Sequence, residues 1–211
     1  MIFAKVAIPR LYWRWAQMPL TVLMVAIATV STPTASMAQR DLIPIDGSDE
    51  EIQLLFDIVY HPQRDPAPLR LQNSAEVEAY ELIRTILRTG TRIYVRRQQD
   101  GNYGSYSFSR DRLVLRPRAL AHWPIFIETL RHEGWHVVQA CFAAKQDLDS
   151  LVPVGIRVSP RTVSDLYNKS SYHPADIPIE AEAFEAERVP NMTLQGLQRE
   201  CADWLNRPSK D

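Results

Sequence analysis

WPIFIETLRHEGWHVVQACFAA, residues 123–144, decides the fold of this chain. A proline is tolerated in a helix only near its start, where Pro124 stands, and from there Ile127, Leu130, Gly134, Val137, Val138 and Cys141 recur at helical spacing. The pattern predicts one long helix from about Trp123 to Ala144 with a buried side.

Inside that helix His132-Glu133-Gly134-Trp135-His136 sets two histidines four positions apart. Residues i and i+4 share a helical face, so both imidazoles can converge on a single zinc ion. Glu133 lies beside them, placed to take a proton from an attacking water and to return it to a leaving group. Two blander readings stand next to this one: ordinary helix residues, or a metal site without activity.

A hydrolytic zinc site needs a third protein ligand and an open fourth position. Continuing the same helix does not supply it, because the places for a further glycine and histidine hold Gln139 and Phe142. The acidic run IEAEAFEAE, residues 179–187, is the alternative source. Glu180 shares a helical face with Ala183, Phe184 and Glu187, and a carboxylate above small apolar residues can approach the histidine helix closely. Glu180 is therefore the preferred ligand and Glu182 the second choice. As a bland reading, Glu180 is a first-turn acid after Pro178, and Glu182, Glu185 and Glu187 are solvated helix positions.

With these residues in hand, the chain resembles the small gluzincin-type zinc metallopeptidases. The resemblance rests on HEGWHVVQ, residues 132–139, in which the helix continues with two apolar residues and a glutamine, as in exported or domain-sized proteins of that kind. A weaker part is Glu180 three residues before Ala183, with Phe184 where such families carry Asp or Asn. It spans residues 74–189 in architecture and implies an α+β fold: a minimal zincin-like domain with a leading helix, a short sheet, the histidine helix and a downstream glutamate helix. It implies zinc held by His132, His136 and Glu180, and hydrolysis of a peptide or protein with Glu133 as base and then acid. The thermolysin-like Asn-Glu ligand motif is absent, so no specificity residues carry over. Two rival classes are a catalytically inactive, metal-stabilised binding or envelope protein and a zinc hydrolase acting on something other than peptides.

Outward from the motif, Ser48 with Glu51 and Asn73 with Glu76 read as capping boxes of two early helices, separated by a stretch stiffened by Pro62, Pro66 and Pro68. Residues 91–97, 103–108 and 113–115 read as short strands, with arginines from Arg92 to Arg118 coating an open sheet face or, alternatively, lining an anionic groove. Ser159-Pro160 opens a short helix whose packing face is Val163, Leu166 and Tyr167. In the loop that follows, Tyr172 and His173 are candidates to donate a hydrogen bond to a developing oxyanion. Leu194, Leu197, Cys201 and Trp204 form one helical stripe, and Cys141 paired with Cys201 would tie it to the histidine helix.

The whole chain has 211 residues, 24 Lys and Arg against 25 Asp and Glu, and two cysteines, which excludes a disulfide-rich scaffold and a basic nucleic-acid binder. Lys5, Arg10 and Arg14, the apolar run from Met18 to Val30 and Ser36-Met37-Ala38 read as a signal peptide or N-terminal anchor over residues 1–38, with the domain over 39–211. Its removal takes three basic residues and no acidic ones, leaving an exported portion with an acidic excess of four. The expected location is periplasmic or extracellular, with a membrane anchor if the segment is retained.

Overall fold

The computed structural model describes residues 42–60, 73–96, 101–168 and 172–207. The N-terminal segment and the stretch carrying Pro62, Pro66 and Pro68 lie outside them. The described residues form an α+β fold of seven helices and a four-stranded mixed sheet, the class the sequence implies.

The sheet has the order β1-β2-β4-β3, with β1 at Leu42–Ile45, β2 at Arg92–Arg96, β3 at Gly104–Ser107 and β4 at Arg112–Leu115. Strand β1 has no counterpart in the sequence reading, because Leu-Ile-Pro-Ile shows no alternation and carries a proline. An edge strand tolerates that residue, and Pro44 sits opposite Tyr94 in an antiparallel pair at the sheet's margin. The central strands β2 and β4 run parallel, with Ile93 opposite Leu113 and Val95 opposite Leu115, all four in the core. The alternate positions bring Arg92 opposite Arg112 on the other face, where Arg112 lies 5.8 Å from the Tyr94 ring centre. β3 closes the opposite edge, antiparallel to β4.

Helices α1 (Asp49–Tyr60) and α2 (Ser74–Arg88) follow the predicted starts. At α2 the Asn73 side chain accepts from the N–H groups of Ala75 and Glu76, both at 3.0 Å. The histidine helix is α3, Trp123–Ala144, entered from an extended His122 with Pro124 in the first turn. It is buried on most sides rather than one, because α2, α5 (Ile177–Arg188) and α6 (Met192–Glu200) all pack on it. Gly134 permits this: a Cβ there would lie 2.9 Å from Thr193 Cγ2 and 3.2 Å from Ile86 Cδ1. A buried bidentate pair joins α2 to α3, with Arg131 donating to both Glu78 oxygens at 2.9 and 2.6 Å.

Two local readings need correction. The short helix α4, Pro160–Asn168, is capped by Ser159 as expected, but Tyr167 is 62% exposed. The packed residues are Thr162 and Leu166 with Val163 beside them, a face turned by about one position. The C-terminal stripe is split between α6 and α7 (Ala202–Leu205), since the backbone leaves helical angles at Cys201 (φ −99°, ψ 14°). Leu197 and Cys201 remain fully buried, and Cys201 is disulfide-bonded to Cys141 on α3 across a separation of 60 residues. Closing a loop of that length stabilises a fold by about 4 kcal/mol in the chain-entropy account. The bridge fits a non-reducing, exported environment. No described helix is long and apolar enough to cross a membrane.

Candidate metal centre

The four-residue spacing on α3 and the first turn of α5 bring three side chains together. Ligand atoms of His132, His136 and Glu180 all lie within 4.8 Å of one another. His132 Nε2 is 3.3 Å from Glu180 Oε2, and His136 Nε2 is 3.7 Å from Glu180 Oε1. Donors held about 2 Å from one tetrahedral ion lie about 3.3 Å apart, so these separations leave room for a small cation with little movement. The other ring nitrogens are occupied: His132 Nδ1 is 3.1 Å from Glu187 Oε2, and His136 Nδ1 is 2.8 Å from Gln139 Oε1. The two Nε2 atoms are thus the ones turned toward Glu180. Two imidazoles and one carboxylate form a donor set suited to a divalent transition metal, and too poor in oxygen for calcium or magnesium.

None of the four glutamates of α5 is a solvated helix position, which corrects the bland reading for Glu182, Glu185 and Glu187. Glu187 holds His132, about two turns beyond Glu180 on the same face. Phe184 stands where the resemblance expects Asp or Asn, and its ring packs edge-on against His132 at 4.7 Å between centres. Glu185 accepts from Ser159 N and Thr162 Oγ1 at 3.2 and 3.1 Å, fixing the start of α4. Glu182, the second choice as ligand, is 2% exposed and is not among the side chains whose ligand atoms converge. It accepts from the N–H groups of Val154, Gly155 and Ile156 at 2.8, 2.6 and 3.0 Å, from Trp135 Nε1 at 3.3 Å and from Gln139 Nε2 at 3.2 Å. Three successive N–H groups can turn to one carboxylate because Gly155 adopts φ +95°, a left-handed conformation that glycine enters without strain.

Glu133 projects into a cleft of about 690 Å³, lined also by His132, His136, Glu180, Tyr172 and the residues of β3 from Gly104 to Tyr106. Among the described residues no Lys or Arg lines it, so the arginines of the sheet do not form its walls. Tyr172 is half-buried there against Phe184, with ring centres 6.2 Å apart. His173 is exposed and outside the lining residues, its Nδ1 accepting from Ala175 N at 3.3 Å.

The edge strand meets Glu133 directly. A Cβ on Gly104 would lie 2.8 Å from both Glu133 Cγ and Thr129 Cγ2. Gly104→Ala is therefore expected to push β3 away from α3, costing about 1–3 kcal/mol of stability by overpacking. Metal affinity should change little, because the close contacts of such a Cβ are with Glu133 and Thr129 and not with the His132, His136 and Glu180 side chains. Urea titration and metal affinity measured in parallel check this, and an unchanged stability in the variant would sink it.

Burial and neighbouring charge separate the site's acids and bases. Burial alone would lower the His132 imidazole, but its contacts with Glu180 and Glu187 outweigh it and raise the group to about 10. His136 is lowered to about 4, chiefly by burial. Burial would raise Glu180, yet the hydrogen bond with His132 and the charge of His136 hold it below the usual carboxylate range. Glu133 is pushed up to about 7, mainly by burial, with His132, Arg116 and a backbone hydrogen bond from Tyr106 opposing the rise and Glu180 adding to it. Tyr172 is raised to about 12 by burial and by the carboxylates of Glu180, Glu133 and Glu187, so its hydroxyl stays a donor.

Sequence reasoning singled out His132, His136, Glu180, Glu133 and Tyr172, which the fold gathers at one cleft, and passed over Gln139 as a partner of the site. A signal for it existed: an amide in the otherwise apolar run Val137-Val138-Gln139-Ala140-Cys141, three positions after His136 and hence on its face. No family model, curated protein or solved structure matches the chain.

Proposed function

We propose that the protein is a zinc-dependent hydrolase of peptide bonds, gluzincin-like in its ligands and active in an exported compartment. The observation that carries the reading is the convergence of His132, His136 and Glu180 within 4.8 Å, beside a buried Glu133 that opens on a cleft. Zinc, when bound, would supply Lewis-acid polarisation of the scissile carbonyl and of the attacking water. The remaining chemistry belongs to the chain. Glu133 accepts a proton from water as the water's oxygen bonds to the carbonyl carbon, and then delivers that proton to the amide nitrogen as the C–N bond breaks. Tyr172, protonated and on the cleft wall, would donate to the carbonyl oxygen as charge develops there. As an end strand lining the cleft, β3 can hold an extended peptide by backbone pairing.

The test is metal content and peptide-library cleavage for the wild type and Glu180→Ala. One zinc per chain and cleavage are expected in the wild type. Affinity should fall by more than about 100-fold in the variant, since loss of even an outer partner of a ligand costs 10–100-fold. A wild type that binds no zinc would end the metal reading. A wild type that binds zinc and cleaves no peptide would leave a non-peptidase hydrolase or an inactive site.

A further inference from the structure

Gln139 links His136 to the first turns of α5, the helix that carries Glu180. Its oxygen lies 2.8 Å from His136 Nδ1, while its amide nitrogen donates to the Ile179 carbonyl at 3.0 Å and to Glu182 Oε2 at 3.2 Å. The orientation of the amide is not free. A backbone carbonyl and a carboxylate are acceptors only, so the side of Gln139 that faces them must be the NH2 group. The oxygen is then obliged to face His136, and a carbonyl oxygen cannot donate. The proton of a neutral His136 therefore resides on Nδ1, which leaves the Nε2 lone pair pointing toward Glu180.

The same side chain also reaches the stretch of α5 that carries Glu180. Ile179 immediately precedes Glu180, and Glu182 follows it by two residues, so both acceptors of the amide flank the third metal-binding residue on α5. Gln139 is fully buried, with its oxygen and nitrogen both engaged, and the Glu182 it contacts is itself anchored by three backbone N–H groups. Water does not compete for these contacts, and rotation of the amide would place two acceptors against each other on one side and two donors on the other.

We propose that Gln139 is a positioning residue of the metal site, selecting the Nδ1–H tautomer of His136 and fixing its imidazole relative to the helix that carries Glu180. The proposal rests on the metal-site reading of His132, His136 and Glu180, but its first readout needs no metal. In metal-free protein labelled with 15N-histidine, His136 is expected to show a protonated Nδ1 and an unprotonated Nε2. An Nε2–H tautomer would overturn the proposal. A wild type that binds no zinc while showing the Nδ1–H tautomer would fail the zinc reading and leave the tautomer assignment standing.

Two variants then separate positioning from packing. Gln139→Met keeps the bulk and removes the acceptor, and zinc affinity measured by chelator competition is expected to fall about 10–100-fold, the usual effect of losing a partner behind a ligand histidine. Gln139→Glu keeps the acceptor. With an oxygen still facing His136 Nδ1, its affinity should remain clearly above that of Gln139→Met. Thermal unfolding of both metal-free variants is recorded alongside. A folded Gln139→Met protein with wild-type zinc affinity, or equal losses in the two variants, would show that the amide serves packing alone. If Gln139→Met does not fold, the wild-type tautomer and the Gln139→Glu affinity decide.

Discussion

Glu133→Gln is expected to abolish most peptide hydrolysis, a loss of about 100- to 10,000-fold, while the variant still binds one zinc per chain. The two effects separate because Glu133 is not part of the ligand triad, although it lies within the same turn of α3. Its carboxylate is only 7% exposed and shares the cleft with Glu180, so the ionised form is held against burial and a like charge. An amide of the same shape escapes both costs and can still accept the backbone hydrogen bond from Tyr106. What it cannot do is take up a proton from water. The metal-free variant should therefore unfold at the same temperature as the wild type or slightly above it, in keeping with the stability that active sites commonly give up. Metal content, calorimetry and initial rates on one preparation check the whole claim. Lost zinc together with lost activity would assign Glu133 to the fold, and full activity would remove it from the chemistry.

Much of this arrangement is legible in the amino-acid sequence, for a definite physical reason. A helix repeats every 3.6 residues, so spacing alone tells which side chains share a face. That suffices to join His132 with His136 and to place Glu180 with Glu187. It does not say what a face meets. The contacts of Glu182 with Val154, Gly155 and Ile156 depend on a loop 26 to 28 positions earlier adopting one conformation around Gly155, and no local pattern announces it. The pairing of Glu78 with Arg131 spans 53 positions and is equally silent. Charged residues on a helix default to solvent in any reading of periodicity, and here that default failed three times on α5 alone. Strand β1 was hidden by its proline, and the split of the C-terminal stripe by a single residue, Cys201, whose side chain is held by the disulfide.

The largest effect on stability is expected at Glu182. Its removal in Glu182→Ala strands five donors at once: three backbone N–H groups, the Trp135 indole and the Gln139 amide. Glu182, Trp135 and Gln139 are buried from water, while the Val154–Ile156 backbone is partly open to it. A hydrogen bond to a charged group contributes about 1.5–3 kcal/mol, and each donor left buried and unpaired adds a penalty of similar size. Even with partial relaxation the loss should reach about 4 kcal/mol, a large share of the 5–15 kcal/mol that stabilises an ordinary domain. In a chain of this size that lowers the melting temperature by about 8–16 °C. Glu182→Gln keeps an acceptor but turns an NH2 group toward backbone donors, so it should lie between the wild type and Glu182→Ala. Urea titration of the metal-free proteins gives the comparison, and a loss below about 1 kcal/mol for Glu182→Ala would contradict the role assigned to this carboxylate. Glu180, two positions earlier on the same helix, should behave in the opposite sense, losing metal affinity first and fold stability second. Two neighbouring glutamates with inverted phenotypes would then separate the residue that holds the ion from the residue that holds the helix in place.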